Sequence, residues 1–358
     1  QIVWGIRIPV WYSIDDNPDL TVTFLPATKR HPELVSGSEK NTIAVTGKIS
    51  DLLKQYSFEV IESGLQTLFA PAGAPYIVSP KKPKGNYLPE TDTFDTWFSS
   101  GQWPLVTLGY PDSKDFSRYY PTDVLETGWE IIRLWVSRMI MFGMYITKNP
   151  PFHSVYLHGI VRATDGRKMS KSLGNVINPE EYQKEYGTDA LRMGLISGTA
   201  NGKDFNFPRD KVIAYRNFAN KLWNIGRFLE MQIEQKEYRH AELVSASIPS
   251  KEDKAILKKL DSLTKKVTQN LEKYRFAQAA EDIYHFVWDD FASDYLEYSK
   301  TVETGLKPVS TLHHIFLTSL KLLHPFMPFV TEALWQEMNK VNHQSTSPLM
   351  VEEWPQMI

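Results

Sequence analysis

Two lysines, Lys168 and Lys171, stand three positions apart in a short segment that is bounded by Gly166 and Gly174 and rich in serine. This composition suits a polyphosphate, because mobile ammonium groups can follow negative charge from a triphosphate to a leaving pyrophosphate. The glycines also let the backbone approach phosphate oxygens. An arbitrary pair of lysines at this spacing is more often part of a solvated loop, so the flanking elements decide between the two interpretations.

The elements on both sides of the lysines favour a phosphate site. Upstream, the mostly apolar run from Val155 to Val161 contains β-branched and aromatic residues and predicts a buried strand. Asp165-Gly166 then predicts a turn. Downstream, Asn178 and Pro179 are typical of an N-cap and of the first residue of a helix. A strand, a basic loop and a helix N-terminus together predict that the loop binds phosphate.

The same segment carries a family resemblance. Residues 166–175 (GRKMSKSLGN) resemble the KMSKS loop of class I aminoacyl-tRNA synthetases, in the form found in their valine, isoleucine and leucine subgroup. Residues 95–104 (DTWFSSGQWP) and 216–224 (RNFANKLWN) are similar to phrases of the valyl-tRNA synthetases, the second at the opening of their anticodon-binding domain. Residues 4–12 are similar to the segment that re-enters the catalytic domain after the editing domain. From there the resemblance continues to Trp354-Pro355.

This resemblance implies a ligase reaction in two steps. ATP, as its Mg²⁺ complex, and L-valine would give valyl-adenylate and pyrophosphate, and the valyl group would then pass to tRNA(Val). No protein nucleophile is required, so catalysis depends on positioning and on electrostatic stabilisation of the phosphates. The resemblance assigns that stabilisation to Lys168 and Lys171. It implies that ATP is bound by the same two lysines together with Met169, Ser170, Ser172, Asn175, His158 and Gly159.

A second set of positions implies an amino-acid pocket. Residues 127–135 (TGWEIIRLW) resemble a family segment, and a helix there would place Ile131 and Trp135 on one face. Together with Trp97 they would wall a small apolar slot for the valine side chain. Each aromatic residue alone more often belongs to a core, so the prediction depends on the coincidence of all three positions. Glu130 stands where the family usually has Asp, and its carboxylate is expected near the ligand.

Composition limits the classes of protein that fit. The 358 residues are 42% hydrophobic and include ten tryptophans, as in a globular chain of two or three domains. The formal charge of −2 leaves any tRNA affinity to local patches, and Arg216, Lys221 and Arg227 are either such contacts or solvated helix faces. The absence of cysteine excludes disulfides and a thiolate zinc site, and we expect no resident metal. The apolar stretch from Ile131 to Ile146 is too short to span a bilayer, so we expect a cytoplasmic protein without membrane contact.

The pattern of elements predicts an α/β region followed by an all-α region. Residues 1–90 mix short apolar runs with proline-rich connections and would return the chain to the catalytic core. Residues 91–207 alternate strand and helix patterns, which the resemblance identifies as the second half of a Rossmann-like nucleotide-binding domain. Residues 208–358 predict an antiparallel helical bundle, interrupted before its last helix by residues 324–328. Its core would include apolar residues spaced three or four apart, namely Ile256, Leu260, Leu263, Val267, Leu271, Phe276, Ala280, Ile283, Val287 and Phe291.

One short segment occurs twice. Residues 30–38 (RHPELVSGS) and 239–247 (RHAELVSAS) differ only where alanine replaces Pro32 and Gly37. Two copies in unlike surroundings do not indicate a repeat fold. We interpret them as translated copies of a repetitive DNA element inserted into surface loops, which tolerate added length. A paired functional motif is the alternative.

Several family features are not found in this sequence. It contains no His-x-Gly-His phrase, no editing domain and no C-terminal coiled coil, and it begins with Gln1. We therefore expect the C-terminal portion of a synthetase, which needs an N-terminal portion in the same or a separate polypeptide for catalysis. A tRNA-binding module without catalysis is the alternative from another functional class. An isoleucine enzyme is the rival within the same class.

Overall fold

The computed structural model describes residues 5–26, 43–234, 250–301, 307–341 and 347–356. Both copies of the repeated segment lie outside these ranges, as does the beginning of the re-entry segment up to residue 4. By its internal contacts the chain divides into two compact units, residues 1–123 with 131–153 and residues 124–130 with 154–358. The domain boundaries expected after residues 90 and 207 stay predictions.

Two small antiparallel sheets form the core of the first unit. Its strands are β1 (Val10–Ser13), β2 (Thr21–Phe24), β3 (Val45–Lys48), β4 (Leu65–Phe69), β5 (Ile77–Val78) and β6 (Tyr87–Pro89). The strand orders are β5-β1-β6 in one sheet and β3-β2-β4 in the other. Val22 and Phe24, two residues apart on β2, are fully buried in the same hydrophobic cluster. This follows from the period of two along a strand, which puts alternate side chains on one face.

Short helices complete the first unit. They are α1 (Ile49–Leu52), α2 (Phe58–Gly64), α3 (Thr96–Gly101), α4 (Trp103–Val106) and α5 (Lys114–Tyr119). The Asp95 carboxylate caps α3 by accepting a hydrogen bond from the Trp97 backbone N–H at 2.7 Å. It also pairs with the Arg138 guanidinium at 3.2 Å. This cap fixes the beginning of the helix that carries Trp97.

The segment that follows residue 128 is less regular than a single helix. A 3-10 helix at Trp129–Ile131 precedes a π-helix at Ile132–Val136, and only then does α6 (Ser137–Thr147) begin. The expectation of a regular helix from Ile131 onward therefore needs correction. Ile131 has φ −100° and ψ 12°, and the next turn closes with the longer hydrogen-bond spacing of a π-helix. Such turns occur frequently at functional sites.

Strands β7 (Thr122–Gly128) and β8 (Phe152–His158) pair with each other, and β9 (Val161–Arg162) pairs in parallel with β10 (Phe205–Asn206). The single buried strand predicted at 155–161 is wrong in two respects. It is split, since β8 ends at His158 and β9 begins at Val161, and β8 is mostly half-buried. The split coincides with a close approach of the Lys203 backbone, since a Cβ on Gly159 would lie 1.7 Å from the Lys203 carbonyl oxygen. Only glycine fits where two backbone segments approach so closely.

Helices make up most of the second unit. They are α7 (Pro179–Tyr186), α8 (Thr188–Ile196), α9 (Arg209–Glu234), α10 (Lys251–Glu272), α11 (Phe276–His285), α12 (Leu296–Thr301), α13 (Lys307–Leu323) and α14 (Pro328–Val341). A π-helix at Phe286–Tyr295 joins α11 to α12. The apolar positions predicted between Ile256 and Phe291 all belong to one hydrophobic cluster or pack against it. The helical bundle and the break before Pro328 are therefore confirmed.

Candidate functional site

The lysine loop leaves β9 through a tight turn. The Ala163 N–H donates to the Arg167 carbonyl oxygen at 3.1 Å, and the Gly166 N–H donates to the Ala163 carbonyl oxygen at 2.8 Å. Gly166 has φ +80°, a conformation that favours glycine. The Asp165 carboxylate accepts hydrogen bonds from the backbone and then the side chain of Arg167, and these bonds lower the pKa of Asp165. The turn predicted at Asp165-Gly166 is confirmed.

Asn175 braces the loop from within. Its Oδ1 accepts a hydrogen bond from the Ser170 backbone N–H at 2.8 Å, and its Nδ2 donates to the Lys168 carbonyl oxygen at 3.2 Å. The hydroxyls of Ser170 and Ser172 lie 2.7 Å apart, within hydrogen-bonding distance. These three predicted ATP-binding residues therefore hold the shape of the loop. Their contact with ATP stays a prediction.

The loop ends at the N-terminus of α7. The Met169 sulfur accepts a hydrogen bond from the Ile177 backbone N–H at 3.4 Å, which ties the middle of the loop to the residue before the cap. The Asn178 side chain then accepts from the Glu180 backbone N–H at 3.1 Å, and Pro179 is the first helical residue. The predicted N-cap is confirmed, and its mechanism is the usual one for asparagine at this position.

Lys168 and Lys171 are both exposed. Lys171 begins a 3-10 helix at Lys171–Leu173, and Gly174 caps it with a φ of +63° that again favours glycine. Neither ammonium group takes part in an ion pair with the residues that the structure describes. Two exposed ammonium groups on a loop with a fixed backbone can bind phosphate oxygens without first breaking a contact within the protein.

His158 lies at the end of β8, and both of its ring nitrogens face acceptors. Nδ1 is 2.9 Å from the Gly159 carbonyl oxygen, and Nε2 is 3.2 Å from Oε1 of Glu126. A neutral imidazole has only one N–H, so both hydrogen bonds form together only when the ring carries two protons. Gly159 itself is buried against the Lys203 backbone. The structure thus gives His158 an anchored ring and Gly159 a packing role, and their contact with the nucleoside stays a prediction.

Asp204 is a functional candidate that the sequence pattern did not reveal. Its carboxylate accepts hydrogen bonds from the Trp129 indole at 2.8 Å, from the Ile160 backbone N–H at 2.9 Å and from two guanidinium nitrogens of Arg162. These donors, with the indole first, lower the pKa of Asp204 to about 2. The partners lie far from Asp204 in the chain, so no local spacing connects them. The only local signal is a carboxylate immediately before a short strand.

Trp135 lies against the helix that carries Trp97. Its indole N–H donates to the Ser100 carbonyl oxygen of α3 at 2.9 Å, and its ring centre is 6.0 Å from that of Trp103. Trp97 and Trp135 are both half-buried. The first unit therefore brings two of the predicted pocket residues to one pair of adjoining helical segments.

The other two predicted pocket residues belong to the irregular segment after β7. Ile131 is partly buried at the junction of the 3-10 helix and the π-helix, and Glu130 is exposed in the 3-10 helix. Ile131 falls in the first unit with Trp97 and Trp135, whereas Glu130 falls in the second. The role of all four in holding valine stays a prediction.

An open apolar cleft lies between the beginning of α3 and α6. Its volume is about 580 Å³, and it is lined by Phe94, Phe98, Met141, Phe142, Tyr145 and the Asp95–Arg138 ion pair. The rings of Phe94 and Phe98 stack at 4.0 Å, and Phe98 meets Phe142 edge to face at 5.2 Å. These contacts fix the aromatic wall of the cleft.

Lys221 is not simply a solvated charge on a helix. Its Nζ lies 3.9 Å from the centre of the Trp288 ring and donates to the Trp288 carbonyl oxygen at 3.2 Å. Partial burial lowers the pKa of Lys221. Arg216 lies 5.9 Å from the Tyr186 ring, and Arg227 is exposed. Of the three basic residues that the sequence left as either RNA contacts or solvated helix faces, Lys221 is therefore the one engaged most closely within the bundle.

Neither a membrane span nor a metal cluster stands out in the described ranges. No helix there is long and apolar enough to cross a bilayer. The same residues contain no group of three His, Cys, Asp or Glu side chains that could hold a metal ion. The Mg²⁺ expected from the family resemblance concerns the ATP complex, which is a substrate.

The chain is similar in sequence to curated valine--tRNA ligases. The valine--tRNA ligase of Bacillus cereus (strain ATCC 10987 / NRS 248) is 44% identical over 278 residues, which are 75% of this chain and 31% of that protein. The valine--tRNA ligase of Bacillus subtilis (strain 168) is 43% identical over 281 residues, which are 76% of this chain and 31% of that protein. The chain thus spans about a third of the length of the curated relatives that it matches.

Solved synthetase structures share the fold. The LeuRS-tRNA-LeuAMS ternary complex of Agrobacterium radiobacter K84 agnB2 matches 99% of this chain and 41% of its own, with a TM-score of 0.64 and 20% identity. Mycobacterium tuberculosis methionyl-tRNA synthetase in complex with methionyl-adenylate matches 94% of this chain and 73% of its own, with a TM-score of 0.57 and 19% identity. At these identities the likeness concerns the fold alone.

Two protein families match separate parts of the chain. The anticodon-binding domain of tRNA ligase matches residues 253–358. The family of tRNA synthetases class I (I, L, M and V) matches residues 1–208. The predicted fold class, a class I catalytic fold followed by a helical anticodon-binding domain, is therefore confirmed. The chain belongs to the class I tRNA synthetases of the I, L, M and V group.

Proposed function

We propose that this chain supplies the KMSKS loop and the anticodon-binding bundle of a valine--tRNA ligase. ATP, as its Mg²⁺ complex, reacts with L-valine to give valyl-adenylate and pyrophosphate, and the valyl group then passes to the 3′ end of tRNA(Val). Lys168 and Lys171 stabilise the negative charge on the phosphates during the first step. The helices from α9 to α14 bind the tRNA. We assign the chain to the cytoplasm, where the substrates of aminoacylation would be present.

The observation that carries this proposal is the exposure of Lys168 and Lys171 on a loop whose backbone is held in place. Both ammonium groups are exposed, and the backbone between them is held by the Asn175 side chain. A site that stabilises developing charge works best when its groups are already in place and need no rearrangement during the reaction. The choice of valine is supported by the 44% identity to a valine--tRNA ligase.

The aromatic residues of the first unit suit a small aliphatic side chain. Because the Trp135 indole N–H is already bonded to Ser100, the ring offers a ligand only its apolar surface. Trp97 and Ile131, which belong to the same unit as Trp135, would complete the slot. Such a slot excludes a larger side chain sterically but discriminates only about a hundredfold against threonine, which has nearly the shape of valine.

Valine-dependent ATP–pyrophosphate exchange tests the proposal. The assay is run on the chain alone and on the chain mixed with a polypeptide that carries the His-x-Gly-His phrase of the family. We expect exchange with valine in the mixture and little exchange with isoleucine. Exchange that depends on isoleucine instead would identify the rival enzyme of the same class. No exchange with any amino acid, alone or in the mixture, would overturn the catalytic proposal.

A tRNA-binding module without catalysis is the second candidate. The observation in its favour is the match of residues 253–358 to an anticodon-binding domain, which does not depend on the ATP site. Binding of tRNA(Val) transcripts, measured by gel shift beside the exchange assay, separates the two candidates. Binding without exchange in the mixture supports the module, and binding with exchange supports the ligase.

A further inference from the structure

We infer that Asp204 is a positioning residue for the KMSKS loop, whose carboxylate fixes the strand that leads to Lys168 and ties that strand to the segment before the predicted valine pocket. This inference rests on the phosphate-binding role proposed for the loop. It concerns a residue outside every motif that points to the family. The contacts involved lie within the second unit.

The Asp204 carboxylate is fully engaged on both oxygens. Oδ1 accepts hydrogen bonds from the Trp129 indole at 2.8 Å and from the Ile160 backbone N–H at 2.9 Å. Oδ2 accepts from Nε of Arg162 at 2.7 Å and from a second guanidinium nitrogen of the same residue. Only 16% of the Asp204 side chain is exposed. A carboxylate is the side chain that can serve all four donors, because it has two oxygens and about four lone pairs.

One connection runs from Asp204 to the lysines. Arg162 is the last residue of β9, and its carbonyl oxygen accepts a hydrogen bond from the Phe207 backbone N–H at 3.3 Å. The next residue, Ala163, donates to the Arg167 carbonyl oxygen and so closes the turn before Lys168. A change in the position of Arg162 is therefore passed on through backbone hydrogen bonds to the beginning of the lysine loop.

The other connection runs to the end of β7. Trp129 follows Gly128 directly and lies two residues before Ile131 in the chain. Although 42% of Trp129 is exposed, its indole is held by Asp204. Asp204 thus joins the end of one strand to the beginning of another, and each strand leads to a different predicted part of the site. Misplacement of catalytic groups by about 1 Å can cost about 100-fold in rate, so the connection made by Asp204 would affect the reaction.

Asp204 does not act as a proton acceptor in this scheme. Both of its oxygens face donors of the protein itself, and the low pKa of its carboxyl group makes it a weak base. Its effect on the reaction would therefore be exerted through Arg162 and Trp129. This distinction determines which measurements can test the inference.

The test measures binding of magnesium tripolyphosphate to the whole chain by calorimetry, so it does not depend on amino-acid activation. We expect Asp204→Asn and Lys168→Ala each to weaken binding about tenfold, in line with the loss of a charged contact. If Asp204 acts through the loop, the double variant binds no more than about twofold more weakly than Lys168→Ala alone. Asp204→Glu, which keeps the charge, should restore part of the affinity. Asp290→Asn, which breaks the ion pair with Lys259 in the bundle, is the matched control and should bind normally.

Several outcomes would overturn the inference. Unchanged affinity in Asp204→Asn would do so. Losses that simply add in the double variant would also do so, because additivity shows that the two residues affect binding independently of each other. Absence of binding to the unsubstituted chain would also overturn it. If circular dichroism shows that Asp204→Asn does not fold, Trp129→Phe is used instead, because it removes one donor to Asp204 without changing any charge. Trp129→Phe should weaken binding about threefold, and unchanged binding would count against the inference. The exchange assay tests the proposed function separately. Coupling between Asp204 and Lys168 without valine-dependent exchange would overturn the proposed ligase activity but not the positioning role of Asp204.

Discussion

The substitution Gly159→Ala inserts a methyl group at the point where two backbone segments touch. Its Cβ would lie 1.7 Å from the Lys203 carbonyl oxygen and 2.8 Å from the Asp204 backbone nitrogen, where real Cβ contacts are rarely under 3.0 Å. The neighbouring backbone must therefore move by more than 1 Å, and no flexible side chain can absorb the change. Overpacking of a well-packed site typically costs about 1–3 kcal/mol, and a backbone clash belongs at the upper end. We expect the free energy of unfolding to fall by about 3 kcal/mol.

Urea unfolding followed by circular dichroism measures this loss, and Gly128→Ala is the matched control. Gly128 is also buried, at the end of β7, but a Cβ there would meet nothing closer than the His158 ring at 3.5 Å. We expect the control to change stability by less than about 1 kcal/mol. Because the shift of Lys203 would carry Asp204 with it, Gly159→Ala should also weaken tripolyphosphate binding. Equal stabilities for the two variants would show that the Lys203 backbone does not require glycine at position 159.

Three further predictions concern the loop and the bundle. Asn175→Ala removes both hydrogen bonds that brace the loop. The affinity for tripolyphosphate, measured by calorimetry, should therefore fall about fivefold while the unfolding midpoint stays nearly constant. Unchanged affinity would show that the loop does not need these hydrogen bonds. Burial and the hydrogen bond to Asp253 raise the pKa of Tyr295 above its usual 10.0, so the folded chain keeps a proton that the unfolded chain loses. The free energy of unfolding should therefore fall as the pH rises above about 10. Urea unfolding at several pH values should show that it falls less steeply with pH in Tyr295→Phe than in the unsubstituted chain. The same pH dependence in both would contradict the prediction. Lys221→Met keeps the aliphatic stem but loses the contact with the Trp288 ring, so stability should fall by about 1 kcal/mol, whereas Lys254→Met on the exposed face of α10 should have little effect.

Features that depend on neighbours in the chain were open to prediction. The Asn178 cap and the turn at Asp165-Gly166 are made by residues within a few positions of each other, so composition and spacing suffice. The bundle core from Ile256 to Phe291 follows from the helical period alone. The KMSKS segment was recognisable because its residues are contiguous.

Features that depend on distant contacts were not open to prediction. The carboxylate of Asp204 contacts Trp129 and Arg162 only after the strands have paired, and the spacing of these residues in the sequence does not predict the contact. The split between β8 and β9 likewise coincides with a contact to Lys203, which approaches Gly159 from a later part of the chain. Lys221 could not be separated from a solvated charge until its helix had packed on the segment that carries Trp288. In each case tertiary packing decided the outcome.

Single lysine substitutions, assayed by valine-dependent ATP–pyrophosphate exchange, test whether the KMSKS loop acts on ATP. The chain is combined with a polypeptide that carries the His-x-Gly-His phrase, and Lys168→Ala and Lys171→Ala are compared with Lys184→Ala, an exposed lysine on α7. We predict that each loop substitution lowers kcat about 100-fold with little change in the KM for valine, because the lysines act on the charge that develops on the phosphates. Lys184→Ala should match the unsubstituted chain. Normal exchange in Lys168→Ala and Lys171→Ala, or an equal loss in Lys184→Ala, would contradict the assignment of this loop to ATP.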